Sequence, residues 1–192
     1  RWTDGGGSTD QLGGPGGTIS WSIVGPGQVD STSNSLKFQG ETVDFATFLS
    51  FDFADLIRQA LNAWSLVADI NFVQQSDAGG AIGVGNAATM RFAAARVQSV
   101  GTTEIHAYNV LPPGNLPGSG DIVFDSQDVS YFSNRDLFYL NALHEIGHAL
   151  GLTHDDSLPA IMNSAVVMQS RGTGPYGNGL QIDDIDGIRS IY

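Results

Sequence analysis

The stretch that decides the fold is His144-Glu145-Ile146-Gly147-His148-Ala149-Leu150-Gly151-Leu152-Thr153-His154, which holds three of the chain's four histidines. Upstream of it, Leu137, Leu140, Ala142, Leu143, Ile146, Ala149 and Leu150 recur at helical spacing, so a helix is expected from about Asn134 to Leu150. On that helix His144 and His148 lie one turn apart on one face and can converge on a single ion. Glu145 lies about 100° further round, placed to reach a water at that ion without being a ligand itself. Gly151 accepts a positive φ, ends the helix and turns the chain back, so that His154 becomes the third ligand.

Three neutral imidazoles leave a fourth zinc position for water, the open arrangement of a catalytic site. Glu145 is then the general base, taking a proton from that water and passing it to the leaving amine. Five fixed positions, each met by chance about once in 20, recur at on the order of 10⁻⁷ per starting position. Two histidines merely sharing a helix face are a fair competitor for the short H-E-x-x-H form, but not for the long one.

The rest of the chain bounds the alternatives. Its 192 residues carry a net charge of −12, with 41% hydrophobic and 15% charged residues and no cysteine, which fits one soluble globular domain. Acids are 17 Asp and three Glu, against seven Arg and the single Lys37. Such a surface repels nucleic acid and anionic lipid, and no apolar run approaches the roughly 18 residues of a membrane span. Without cysteine there is no disulfide, thiolate metal site or Cys nucleophile. The start at Arg1-Trp2 reads as a mature or trimmed domain.

Other elements follow from pattern. Strands are expected at Thr18–Val24, Asp69–Gln74, Ala81–Val84, Thr103–Val110 and Asp121–Asp125. A helix is expected where Phe53, Leu56, Ile57, Ala60, Leu61, Trp64 and Val67 recur, capped by Asp52 or Ser50, and a short one over Asp183–Tyr192. Residues 28–51 support no assignment, and the Ala-rich stretch 85–102 reads as helix or loop.

HEIGHALGLTH followed by Ile161-Met162 resembles the zinc-binding helix and Met-turn of metzincin endopeptidases, and is most similar to the matrixins. The eight-residue step from His154 to Met162, the Trp64 helix before DINF, GSGDIVFDSQD before the active-site helix and the closing DDIDGIRSIY extend the likeness over most of the chain.

The resemblance implies an α/β (α+β) domain with a twisted mixed sheet of about five strands and three helices. A single catalytic domain over 1–192 is expected, with its cleft between a larger subdomain (1–151) and a smaller one (152–192). It implies a secreted zinc-dependent endopeptidase that binds a protein or peptide substrate as an extended strand near 103–110. The absence of cysteine and the Asp-rich surface point to a bacterial exported enzyme, expected to be monomeric. Met162 would sit beneath the zinc as a hydrophobic base, where ordinary core filling is the other reading.

The match also departs from the family. Of the ligands of a second, structural zinc only His106 keeps its place, with Val123 where another His is expected, so one zinc is expected and not two. Asp121, Asp125 and Asp128 match calcium-ligand positions, and read equally well as surface or turn carboxylates. Met162-Asn163-Ser164-Ala165-Val166 replaces the aromatic wall common after the Met-turn, leaving pocket depth to the Val166–Leu180 loop. Two competing functions are a catalytically silent extracellular zinc/calcium-binding module on the same fold, and a calcium- or glycan-binding domain with a structural His cluster. Glu145 weighs against the first, and the open three-ligand site against the second.

Overall fold

The structure, a computed structural model, describes residues 16–30, 38–83, 88–98, 106–109, 120–164 and 172–192. Its frame is a six-stranded mixed sheet built from β1 (Gly17–Ile23), β2 (Phe38–Val43), β3 (Ile70–Gln74), β4 (Met90–Val97), β5 (Ala107–Asn109) and β6 (Ile122–Asp125). The strand order is β3-β1-β4-β6-β5, with β2 paired to β4. β1, β3, β4 and β6 run parallel, while β2 and β5 are antiparallel to their neighbours.

β4 corrects the helix-or-loop reading of 85–102. Its side chains alternate between two buried faces: Met90, Phe92 and Ala94 enter the main core, while Ala93, Ala95 and Val97 enter a smaller cluster with Val24, Ile82, Tyr108 and Val123. A strand covered on both sides shows no polar alternation, so its sequence carries no period of two. Within the expected Ala81–Val84 strand, Ile82 makes only an isolated bridge to Asp30, and Val84 lies outside the described residues. β2 and a 3-10 turn over Phe45–Thr47 occupy the stretch left unassigned.

The helices are α1 (Phe53–Ser65), α2 (Val129–Phe132), α3 (Arg135–Ala149) and α4 (Ile182–Arg189). Only the one-turn α2 was unforeseen. Asp52 caps α1 by accepting from Asp55 N–H at 2.9 Å, and Asn134 caps α3 by accepting from Asp136 N–H at 2.9 Å. α1 buries Leu56, Ile57, Ala60, Leu61, Ala63 and Trp64. The Trp64 indole N–H donates to Leu143 O at 3.0 Å, pinning α1 to the middle of α3. From Phe138 to Gly147 every residue of α3 is buried, so the histidine-bearing helix runs through the core. α4 returns to the same core through Ile185 and Ile188, and Arg189 Nε donates to Val67 O at 2.8 Å.

Candidate metal centre

α3 ends in two hydrogen bonds that define a Schellman turn: Gly151 N–H to His148 O at 2.9 Å and Leu152 N–H to Gly147 O at 3.0 Å. Gly151 sits at φ 104°, a conformation that a side chain disfavours. The reversed chain brings His154 back over the helix. Its Nε2 lies 3.1 Å from Nε2 of His144 and 3.1 Å from Nε2 of His148.

The donor set of these rings is decisive. His144 Nδ1 faces Ile161 O at 2.7 Å and His148 Nδ1 faces Leu152 O at 2.9 Å. Each Nδ1 therefore carries the proton, and each Nε2 of the neutral ring presents a lone pair. An Nε2–H of His154 could meet only one of these two lone pairs, whereas a cation between the three nitrogens meets all of them. Two tetrahedral zinc ligands stand about 3.3 Å apart, close to the observed spacings. The residues fit a zinc ion.

Electrostatics favour the ligand form. Burial, reinforced by positive charge on His148 and His154, pushes His144 down to about 4 against the pull of its bond to Ile161. Burial and then His154 lower His148 as well, opposed by its bond to Leu152. Glu145 is 6% exposed, and burial pushes its carboxyl up to about 8.

Buried Met162 packs against Gly147 of α3, where an added Cβ would run into Met162 Sδ. The Met-turn is held from below by Asp184 of α4, itself 2% exposed. Its carboxylate accepts the N–H groups of Ile161 at 3.0 Å, Met162 at 3.0 Å and Gln181 at 2.8 Å. Asp184 thus fixes the peptide unit whose carbonyl orients His144.

The profile of the matrixin peptidase family matches residues 32–192. This chain belongs to the matrixins. Among relatives, it is 36% identical to human matrix metalloproteinase-25 over 102 residues, which cover 48% of this chain and 16% of the relative. It is 32% identical to rat stromelysin-2 over 138 residues and 31% identical to pig interstitial collagenase over 140, in each case 71% of this chain and 27% of the relative. This matrixin chain therefore spans only a minor part of the proteins it resembles.

The matrixin's other expected ligands are not gathered in the same way. Among the described residues, His144, His148 and His154 form the group of three or more metal-capable side chains with convergent atoms. Asp121 precedes β6 and Asp125 ends it, so about 13 Å of strand separates them. Asp121 is 1% exposed, accepts Gly83 N–H at 2.9 Å and faces Arg91 Nη1 at 3.7 Å. Asp125 accepts from Val97 N–H at 3.1 Å and Gln127 N–H at 3.0 Å. Asp128 pairs with His106, whose ring stacks on Tyr131.

A buried cation already serves the Asp121 end of the sheet, and the sequence reading missed it. Arg91 of β4 is fully buried, and its Nε and Nη2 hold the two carboxylate oxygens of Asp77 at 2.9 and 3.0 Å. Nη1 donates to Ala81 O at 3.1 Å and Nη2 to Gly80 O at 3.1 Å. A cage of carboxylates and glycine-loop carbonyls is the chemistry of a metal site, and here a guanidinium fills it. A lone Arg in an Ala-rich run gave no sign of this, because Asp77 and Asp121 approach it only through the fold.

Proposed function

We propose that this chain is the catalytic domain of a secreted zinc-dependent endopeptidase that hydrolyses internal peptide bonds of protein substrates. The observation that carries the reading is the convergence of three histidine Nε2 atoms, two of them committed to the lone-pair form by their backbone partners. Zinc held by His144, His148 and His154 supplies a Lewis acid for the scissile carbonyl and lowers the pKa of a water from 15.7 to about 7.

Glu145 takes the proton of the attacking water and returns it to the leaving amine. Burial raises its affinity for a proton, and a cation held by the three histidines would oppose that rise and favour the carboxylate that acts as base. His144 and His148 keep their Nδ1 protons on Ile161 and Leu152 and stay neutral throughout. The substrate lies extended along β5, adding a strand through main-chain hydrogen bonds. Of the 103–110 segment expected to bind it, 106–109 lie among the described residues, and β5 packs against α3. The smaller subdomain, 152–192, forms the opposite wall. Within the Val166–Leu180 loop that sets pocket depth, residues 166–171 lie outside the described residues.

No helix among the described residues is long and apolar enough to cross a membrane. Calcium enters this reading only at Asp125 and Asp128. A melting temperature that does not move between EGTA and millimolar calcium removes it.

Casein or gelatin cleavage tests the proposal. Wild-type activity is expected to vanish with 1,10-phenanthroline, and Glu145→Gln to lose about two to four decades with zinc retained. Undiminished cleavage by that variant rejects the mechanism. His154→Ala should weaken zinc binding itself; stoichiometric affinity surviving that change rejects the third ligand. A wild type that binds zinc and cleaves nothing is the silent module.

A further inference from the structure

Among the described residues, β5 ends the strand order and pairs with β6 through Ala107↔Phe124, Tyr108↔Val123 and Asn109↔Ile122. A substrate strand added to this edge must meet the zinc ligands in register.

The structure supplies an anchor of three side chains. His106 immediately precedes β5, and its carbonyl accepts Asp125 N–H at 2.8 Å. Its ring lies flat on the Tyr131 ring, with centroids 3.8 Å apart and planes 4° from parallel, while its Nδ1 pairs with Asp128. The Tyr131 hydroxyl in turn accepts a hydrogen bond from Asn141 Nδ2 at 2.8 Å. Asn141 is 5% exposed and also donates to Leu137 O at 3.0 Å, so its amide is held within α3. It stands three residues before His144 and four before Glu145, on the same side of the helix.

We propose that Tyr131 is a positioning residue: by stacking under His106 and bonding to Asn141, it sets the height of edge strand β5 above the zinc-binding helix and so aligns an extended peptide substrate. The inference rests on the endopeptidase reading. Tyr131 acts through His106 on one side and Asn141 on the other. The one-turn helix α2 is rigid enough for this because Phe132, its next residue, packs on Phe124 and Phe138 with centroids at 5.7 and 5.8 Å.

The test compares Tyr131→Leu, which removes both stack and hydroxyl, with Tyr131→Phe, which keeps the stack. With an octapeptide substrate, Tyr131→Leu is expected to raise KM about tenfold and Tyr131→Phe about threefold, with kcat within about twofold of wild type and one zinc per chain. The rise should shrink for a substrate truncated to two residues, which cannot lie along β5. Hydrogen exchange of the zinc-loaded protein supplies the second readout. Exchange across 106–109 should accelerate at least about tenfold in Tyr131→Leu, while 141–147 stays protected. A fall in kcat at constant KM, exchange rising throughout the molecule, or no change in either readout overturns the proposal. If the wild type cleaves no peptide, the endopeptidase reading fails on its own, and exchange at 106–109 still reports whether Tyr131 anchors the strand.

Discussion

Gly147 looks like a filler inside H-E-x-x-H, but the packing makes it a required residue. An added Cβ would run into Met162 Sδ and stand 3.1 Å from Trp64 Cζ2, and both neighbours are buried. Alanine in a helix interior gains about 1 kcal/mol over glycine. Overpacking costs about 1–3 kcal/mol, and both Met162 Sδ and the Trp64 ring would have to give way. Gly147→Ala should therefore lower the melting temperature and weaken zinc binding together. Normal zinc affinity by chelator competition would show that Met162 moves without disturbing the trio. The contrast with His144, His148 and His154 is instructive. Their convergence was legible because helix pitch and one glycine turn bring them together within a single stretch. Gly147 and Asp184 were not, because their reasons lie in Met162, Trp64 and the Ile161-Met162 backbone, which only the tertiary fold brings near.

At the scale of elements, α1 and α3 were readable from their spacing and caps, whereas β4 was not. Its two covered faces erase the alternation that marks β1, and small alanines imitate a helix former. The same strand carries Arg91, whose removal would strand the carboxylates of Asp77 and Asp121 in a dry cage. Arg91→Met should destabilise the domain by about 3–5 kcal/mol, the usual cost of breaking a buried pair from one side. The pair also predicts an acid limb. Burial works to raise the Asp77 carboxyl, but hydrogen bonds from Arg91, Ser22 and Gly79 N–H outweigh it and hold the group below its ordinary value of 3.8. A depressed folded pKa means that the folded state releases this proton more readily than the unfolded chain. Its contribution is present above pH 3.8 and is lost as pH falls through the lower folded value. Asp77→Asn should be less stable than wild type at pH 7, with the gap closing below about pH 4 in urea titrations. A gap that stays constant down to pH 2 would assign the loss to packing.

Across the whole molecule, the metal centre joins two parts of the chain that are otherwise held very differently. α3 runs through the core and is fastened to α1 by the Trp64 indole, and the rings of His144 and His148 are each bonded to a backbone carbonyl. His154 lies on an exposed turn, which is anchored by Gly151, by the bond from Asp155 N–H to Met162 O at 3.0 Å, and by Asp184 below it. Without zinc, an Nε2–H of His154 can meet only one of the two facing lone pairs, while the other two rings keep their carbonyl partners. Chelation should therefore loosen residues 152–158 first, with hydrogen exchange rising there and staying slow across 138–147. A ligand present at a thousand times its Kd stabilises by about 4.1 kcal/mol. At about 2–4 °C per kcal/mol for a domain of this size, zinc removal should lower the melting temperature by roughly 8–16 °C. Exchange that rises equally in α3 would place the histidine helix among the parts that zinc folds. Slow exchange throughout after chelation would mean that Gly151 and Asp184 alone preorganise the site, with the ion binding to a finished cradle.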